Sequence, residues 1–250
     1  MLVIPAIDIR NGRCVRLLQG RADAETVFGD NPAAMARRWA AEGAELIHVV
    51  DLDGAFEKKP RNMDVIGRIL DAVSVPIQVG GGIRDMQTIE AYFQAGVGRV
   101  IIGSKAVDDP QLIEWAAEKF PEKVVLGLDA RDGYVATDGW THTTGMSAVE
   151  LVASFERTPL AAINFTDIHR DGMQTGPNIE QTRRLAQTTT IPVVASGGVS
   201  SIADIERLLP LEAVGVVGVV VGQALYLGSL DLREALALGR SVDRREQRKG

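Results

Sequence analysis

The sequence predicts an α/β protein, a closed (β/α)8 TIM barrel built from two repeated half-barrels. Short apolar segments alternate with longer amphipathic segments, and eight such units fit into about 225 residues. The apolar segments are nearly continuous runs, which is typical of parallel strands covered on both faces. Strict alternation of strands and helices implies a parallel sheet, and eight units of this length imply a closed barrel. An open doubly wound sheet is the rival architecture, but it rarely repeats in two equal halves.

The repeat is visible at the ends of the predicted strands. Four segments recur in the same order, 116 to 121 residues apart: 4–12 with 125–133, 49–52 with 165–168, 75–83 with 191–199, and 101–103 with 220–222. Self-similarity at a fixed offset indicates structurally equivalent units. We therefore expect one domain over residues 1–240, with half-repeats of about 1–120 and 121–240. A duplicated site suggests a ligand with two similar ends.

The individual elements follow from local pattern. Strands are predicted at residues 2–8, 46–51, 77–80, 99–103, 124–129, 162–167, 193–196 and 217–222. Helices are predicted at 31–43, which has a cap residue, an early proline and a final glycine, at 200–209 and 230–238, and after Asp109-Pro110 and Gly176-Pro177-Asn178. Residues 241–250 are charged and poor in apolar side chains, so an exposed, frayed tail is expected.

Composition excludes several classes of protein. The net charge is −6, so we expect neither a nucleic-acid nor a membrane partner. One cysteine cannot form an internal disulfide, and the three histidines lack metal-ligand spacing, so no metal site is predicted. The first seven residues are too few for a secretory signal, and no apolar run reaches the roughly 18 residues of a membrane span. A cytoplasmic monomer is expected.

The strongest candidates for chemistry are Asp8 and Asp129, which end the first strand of each half. Half-turn symmetry would place them on opposite sides of one barrel mouth. Paired carboxylates suit proton abstraction and return, one ionised as base and one protonated as acid. A free Asp has a pKa near 3.9, so Asp8 is expected to be ionised, whereas Asp129 needs a raised pKa. Asp51 and Asp167 form a second pair, which we interpret as loop support.

Two glycine-rich clusters are candidate phosphate sites. One consists of Gly81, Gly82, Gly103 and Ser104, and its repeat consists of Gly197, Gly198, Gly222 and Gln223. Glycine lets the backbone approach a ligand closely and expose its amides, and many barrels bind phosphate after strands seven and eight. Two long loops, 9–30 and 130–146, follow the first strand of each half and are expected to build the site.

The motifs resemble one family, the histidine-pathway isomerases that act on phosphoribosylformimino-aminoimidazole carboxamide ribotide. The resemblance covers about residues 1–240 and is carried by Pro5-Ala6-Ile7-Asp8, His48-Val49-Val50-Asp51, Gln78-Val79-Gly80-Gly81-Gly82-Ile83-Arg84, Thr166-Asp167-Ile168, Gly176-Pro177-Asn178, Ala195-Ser196-Gly197-Gly198 and Val221-Gly222-Gln223-Ala224-Leu225-Tyr226. The sister family, the cyclase of the next pathway step, typically has Cys where Ala6 stands. The resemblance therefore favours the isomerase.

The resemblance implies an Amadori rearrangement that converts an aminoaldose with two phosphoribosyl ends into an aminoketose, without a metal or redox cofactor. It implies that Asp8 is the general base and Asp129 the proton donor, with Thr166 beside Asp129. Asp171 is a rival for the acid that opens the ribose ring, and the two are not ranked.

Four further side chains complete the predicted substrate site. Trp140 is expected to stack on the imidazole, Arg16 and Arg84 to meet phosphate or ribose, and His48 to lie among the binding residues. For both arginines, a solvated surface position is an equal alternative.

Two alternatives to this function stay open. Dual enzymes of the group also isomerise phosphoribosylanthranilate and tend to have Ser where Gly80 stands here, so Gly80 favours the single substrate. The other alternative is a non-catalytic phosphoribosyl-binding barrel, against which the presence of both Asp8 and Asp129 argues.

Overall fold

The structure, a computed structural model, describes the backbone of residues 1–246 and the side chains of residues 1–240. The strands within this range are β1 (Leu2–Arg10), β2 (Arg13–Leu18), β3 (Arg21–Gly29), β4 (Ile47–Asp51), β5 (Ile77–Gly80), β6 (Arg99–Ile102), β7 (Val124–Arg131), β8 (Tyr134–Thr137), β9 (His142–Ser147), β10 (Ala162–Asp167), β11 (Val193–Ser196) and β12 (Val216–Val221). The helices are α1 (Pro32–Glu42), α2 (Leu52–Glu57), α3 (Met63–Ala72), α4 (Met86–Gln94), α5 (Lys105–Asp108), α6 (Pro110–Lys119), α7 (Ala148–Ser154), α8 (Ile179–Ala186), α9 (Ile202–Leu208), α10 (Gln223–Leu227) and α11 (Leu232–Glu246).

Among the described residues, eight of the strands form a closed parallel barrel. The order around the barrel is β1, β4, β5, β6, β7, β10, β11 and β12, and β12 pairs again with β1. The two halves therefore meet at two seams, β6 with β7 and β12 with β1. The predicted fold class is confirmed, and all eight predicted strands are present.

Apolar side chains fill the amino-terminal end of the barrel. Inward side chains form one apolar cluster at the bottom of the barrel: Ile4, Ala6, Leu46, Val125, Ala162, Val194 and Val220. Alternate residues of the same strands, such as Val3, Ile7 and Ile9 on β1, belong to the larger cluster under the surrounding helices. Because strand side chains alternate between faces, strands such as β1, β7 and β12 supply both clusters. The carboxyl ends of the strands are left to form a site.

Helix boundaries follow the predicted capping residues. The Asn31 side chain accepts a hydrogen bond from the Ala34 amide at 3.0 Å, and α1 ends at Gly43, whose φ is 101°. Asn178 caps α8 in the same way, accepting from the Gln181 amide at 3.1 Å. At the other end of the chain, α11 extends through Glu246 into the segment predicted as a tail, and residues 247–250 lie outside the described part. In the described residues no helix is long and apolar enough to cross a membrane.

The two long loops are antiparallel hairpins rather than irregular loops. β1 continues into β2 through a turn in which Arg10 pairs with Arg13, and β7 continues into β8 through a turn in which Arg131 pairs with Tyr134. The turns are Asn11-Gly12 and Asp132-Gly133, all with positive φ, as tight two-residue hairpins require. Each half carries one such dipeptide, a sequence sign of a hairpin, although only long loops are predicted here from the sequence.

Candidate active site

One cavity of about 260 Å³ opens at the carboxyl ends of the barrel strands. Every residue that the sequence predicts as catalytic or substrate-binding lies in its wall: Asp8, Arg16, His48, Gly81, Gly82, Arg84, Gly103, Ser104, Asp129, Trp140, Thr166, Asp171, Gly197, Gly198, Gly222 and Gln223. The fold thus brings together residues from both halves. Their individual roles stay predictions.

Asp8 is held by an arginine from the first hairpin. Arg16 Nη1 donates to Asp8 Oδ2 at 2.7 Å, and Arg16 Nη2 donates to the Ala6 carbonyl at 2.9 Å. The guanidinium lies 5.3 Å from the centroid of the Tyr226 ring, whose hydroxyl also donates to the Ala6 carbonyl, at 3.0 Å. Arg16 is therefore part of the cavity wall and not a solvated surface residue.

The protonation of Asp8 depends on two opposed effects. Burial raises the pKa of the carboxyl, while the charge of Arg16 and its hydrogen bond act to lower it. The net pKa is raised, which differs from the ordinary value expected from sequence. Arg16 is thus the group that favours the ionised form of Asp8.

Asp129 is surrounded by neutral donors. It lies directly beside Thr166 in the β7–β10 register. Burial raises the pKa of Asp129, and hydrogen bonds from the Trp140 and Thr166 side chains oppose that rise less strongly. The shift is in the predicted direction. Trp140 itself adopts a left-handed backbone conformation with φ 71°.

Asp171 is a third carboxyl group in the same cavity. Burial raises its pKa to about 7, against the lowering effect of Arg16, and the charges of Asp8 and Asp129 raise it further. Asp171 therefore changes its charge near neutral pH, and its charge depends on the other two carboxylates. Because of this coupling, sequence alone does not decide whether Asp129 or Asp171 is the acid that opens the ribose ring.

Asp51 and Asp167 do not face the cavity as reactive groups but organise the loops around it. Asp51 accepts hydrogen bonds from the Gly54, Arg61 and Asn62 amides and from Asn62 Nδ2, at 2.7–2.9 Å. Asp167 accepts from the His169 amide at 2.9 Å and from Asn178 Nδ2 at 2.6 Å. These bonds agree with the predicted supporting role.

The two glycine clusters lie at equivalent places after equivalent strands. Gly81, Gly82, Gly197 and Gly198 have φ between 73° and 103°. A Cβ on Gly81 would overlap the Asp51 carbonyl, and a Cβ on Gly198 would lie 2.5 Å from the Gly176 carbonyl oxygen. Both turns therefore need glycine, and they are built against the loops that Asp51 and Asp167 hold.

The first glycine cluster is contacted by the turn between β8 and β9. The Asp138 amide donates to Ser104 Oγ at 2.9 Å. The Asp138 carboxylate lies 2.9 Å from Lys58 Nζ and 3.9 Å from Arg84 Nη1, and Arg84 Nη2 lies 3.2 Å from Asp108. Two cations, each paired with a carboxylate, thus lie beside this glycine cluster.

His48 is partly buried in the cavity wall and neutral. Its Nδ1 lies 2.9 Å from Gln78 Nε2, the residue opposite it on β5. Burial, with the charge of Arg16, lowers the pKa of His48 to about 3. A neutral imidazole accepts with one ring nitrogen and donates with the other, so His48 can offer the cavity a hydrogen bond but no charge.

Among the charged and amide side chains that line the cavity, sequence reasoning missed Lys58, Lys105, Asn164 and Gln174. Lys58 ends α2 and Lys105 begins α5, and a lysine at either end of a helix is ordinarily solvated. Gln174 lies in the loop after β10 and carries no pattern. Asn164 had a usable signal, because it is the repeat counterpart of His48, 116 residues away.

A family model described as "Histidine biosynthesis protein" matches residues 2–231. The chain belongs to the histidine biosynthesis protein family. The predicted resemblance is thereby confirmed over nearly the whole chain.

Full-length relatives share one name. A protein of Desulfatibacillum aliphaticivorans is 60% identical over 237 residues, which cover 95% of both chains. Proteins of Desulfosudis oleivorans and Geobacter sulfurreducens are 58% and 54% identical, and the matches cover 99% and 95% of this chain and 99% and 98% of theirs. All three are named 1-(5-phosphoribosyl)-5-((5-phosphoribosylamino)methylideneamino)imidazole-4-carboxamide isomerase. The relatives thus carry the isomerase name and not that of the cyclase.

Proposed function

We propose that this protein is the isomerase its relatives are named for, and that it performs an Amadori rearrangement with two aspartates. The substrate is an aminoaldose with a phosphoribosyl group at each end, and the product is the aminoketose. The proposal includes a cytoplasmic monomer and no metal, redox cofactor, nucleic acid or membrane. It is supported by the relatives' name and by the contrast between Asp8 and Asp129.

That contrast is the observation on which the assignment of roles rests. Asp8 is paired with the Arg16 guanidinium at 2.7 Å, whereas Asp129 is hydrogen-bonded by the neutral side chains of Trp140 and Thr166. Burial raises the pKa of both carboxyl groups, but the Arg16 charge favours the ionised form of Asp8 and no such charge acts on Asp129. Carboxyl groups in unequal environments of this kind are suited to act as base and acid. We assign Asp8 as the base and Asp129 as the proton donor.

The reaction then proceeds by proton transfers alone. A protonated carboxyl group donates to the ring oxygen of the ribose while the amino nitrogen lone pair forms an iminium at C1. Asp8 removes the proton from C2, and the electrons of that bond neutralise the iminium to give an enol-amine. Reprotonation at C1, with loss of the hydroxyl proton at C2, gives the ketone. Every proton that leaves the substrate is matched by one returned from a side chain or solvent.

Phosphate recognition is assigned to the two glycine clusters. Gly81, Gly82, Gly103 and Ser104 bind one phosphate, with Arg84 and Lys58 beside them, and Gly197, Gly198, Gly222 and Gln223 bind the other. Backbone amides at positive-φ turns are suited to bind anions without side-chain charge. In this arrangement the substrate spans the mouth and places its reacting ribosyl between Asp8 and Asp129.

The single-substrate assignment is supported by packing at Gly80. This residue lines the cavity, and a Cβ there would lie 3.2 Å from Ile101 Cβ. A serine at this position would require Ile101 to move. Gly80 therefore favours the dedicated isomerase over the enzyme that also accepts phosphoribosylanthranilate.

The test is turnover of the bis-phosphate aminoaldose by purified protein in EDTA, beside phosphoribosylanthranilate. We expect turnover of the first substrate and none of the second. Turnover of both makes this a dual-substrate enzyme, and loss of activity in EDTA contradicts the metal-free mechanism. No turnover of either contradicts the proposal and leaves a binding protein.

A further inference from the structure

Asn164 is a buried polar side chain that the proposed mechanism does not use. It lies on β10 and is 5% exposed, and it lines the cavity. Neither its Nδ2 nor its Oδ1 makes a hydrogen bond to any group in the described part of the protein. Buried amides without partners are rare in folded proteins and cost stability. This one therefore calls for a functional reason.

At the equivalent position in the other half of the barrel, the polar side chain does have a hydrogen-bond partner. His48 is the repeat counterpart of Asn164, and it is paired with Gln78 on the neighbouring strand. The counterpart of Gln78 is Val194, which lies beside Asn164 and offers no polar atom. The second half thus keeps a polar side chain where its protein partner has been replaced by an apolar one.

The surroundings of Asn164 leave its amide open to the cavity. Its neighbour on β7 is Gly127, which has no side chain to cover it and which also lines the cavity. Thr166, two residues further along β10, lies beside Asp129 on the same face of the strand. Two residues of strand correspond to about 6.6 Å, so Asn164 lies about 6.6 Å deeper than the Asp129–Thr166 pair.

We propose that Asn164 is a positioning residue that binds a hydroxyl group of the reacting ribosyl chain. This inference rests on the proposed function. The sugar that is isomerised must lie between Asp8 and Asp129, directly above Asn164. An amide both donates and accepts, and so does a sugar hydroxyl.

The C3 hydroxyl is the specific group that we assign to Asn164. It is the nearest hydroxyl to the reacting carbon that the reaction leaves unchanged, since the C2 hydroxyl becomes the ketone. Binding it fixes the C2–H bond relative to Asp8.

The test is Asn164→Leu, with Gln78→Leu as the matched change of a satisfied amide in the other half. We expect Asn164→Leu to lower kcat/KM about 10- to 100-fold, as loss of a buried hydrogen bond to substrate would. Its Tm should be unchanged or higher, because an unpartnered buried amide is removed. Gln78→Leu should lower Tm, since it removes the partner of His48.

The decisive comparison uses the bis-phosphate aminoaldose that lacks the 3-hydroxyl on its reacting ribosyl. Wild-type protein should lose about 10- to 100-fold in kcat/KM on this analogue, because the Asn164 amide is then left without its hydrogen bond. Asn164→Leu, already without the contact, should show no further loss. If Asn164→Leu does not fold, Asn164→Ser is measured in the same way.

Three outcomes overturn this inference or its basis. If wild type and Asn164→Leu lose kcat/KM by the same factor on the deoxy substrate, Asn164 does not bind this hydroxyl. Wild-type activity with a lowered Tm in Asn164→Leu assigns the amide a purely structural role. Failure of wild-type protein to turn over the full substrate overturns the proposed function itself, and is recognised before any variant is made.

Discussion

Burial has the largest effect on the pKa values of the three carboxyl groups in the cavity. Arg16 makes their environments different, because it contacts only one of them. The pKa values of Asp8, Asp129 and Asp171 are all raised by desolvation. Only Asp8 among them accepts a hydrogen bond from Arg16 within the described residues. One arginine on a hairpin thus creates the difference between base and acid, and its loss would remove that difference.

Asp171→Asn should reveal the cost of burying this carboxyl. Its pKa is about 7 in the folded protein against 3.8 for the free group, so the folded protein holds the proton more tightly. Below about pH 4 the carboxyl is protonated in both states and does not change the free energy of unfolding. As the pH rises from about 4 to about 7, the unfolded chain ionises more readily, and the free energy of unfolding falls. Because Asp171 is only partly buried, we expect the variant to be more stable than wild type by on the order of 1–2 kcal/mol at pH 8, and equal at pH 4.

Chemical denaturation at both pH values measures this difference. Asp64→Asn, a change at an exposed carboxylate on α3, is the control and should not depend on pH in this way. A variant less stable than wild type at pH 8 would show that the ionised carboxylate of Asp171 contributes a favourable interaction instead.

At the residue scale, sequence predicts site residues that a motif or strand end marks, and it misses features that only contacts in the structure reveal. Asp8 and Asp129 are recognisable because each ends the first strand of a half. Sequence alone does not decide whether Arg16 lies in the site or on the surface, because its contact with Asp8 depends on the pairing of β1 with β2. The repeat marks Asn164 as the counterpart of His48, but its distinguishing feature, the absence of a hydrogen-bond partner, is seen only in the structure.

At the scale of elements, the loops that follow β4 and β10 depend on one buried carboxylate each. Asp51 accepts four hydrogen bonds and Asp167 accepts two. In Asp51→Asn an NH2 group would face backbone donors. We expect a loss of about 2–4 kcal/mol in the free energy of unfolding, and about 1–2 kcal/mol for Asp167→Asn.

Urea unfolding of the two variants gives this comparison directly. Asp64→Asn should again stay within about 0.5 kcal/mol of wild type. Equal losses at Asp51 and Asp167 would contradict the account, because they would mean that the number of hydrogen bonds does not determine how strongly each loop is held.

Element boundaries were predictable where caps and apolar runs mark them, as at α1 and the barrel strands. The hairpins were predicted only as long functional loops. Their polar strands, such as β3, lie largely outside the core and carry no apolar signal. The Asn11-Gly12 and Asp132-Gly133 turns were the available sign, and tight turns of this type determine the pairing of the strands beside them.

At the scale of the whole molecule, the site exists only when both halves are present. The first half supplies Asp8 and one glycine cluster, and the second supplies Asp129 and the other. The halves are joined at the seams β6–β7 and β12–β1. The duplication was recognisable in the sequence, and it predicted both the closed barrel and a site shared between the halves. The closeness of the two hairpins over the mouth was not predicted, since it depends on contacts such as that of Gly20 with the Trp140 ring.

The central claim is that Asp8 and Asp129, one from each half, act together on one substrate. The most direct test is steady-state turnover of the bis-phosphate aminoaldose by wild type, Asp8→Asn, Asp129→Asn and the control Asp64→Asn, with folding checked by circular dichroism. We predict that each active-site change lowers kcat about a thousandfold, within the range for loss of an acid or base, and that Asp64→Asn does not. A folded Asp8→Asn or Asp129→Asn protein that keeps kcat within tenfold of wild type would contradict the account.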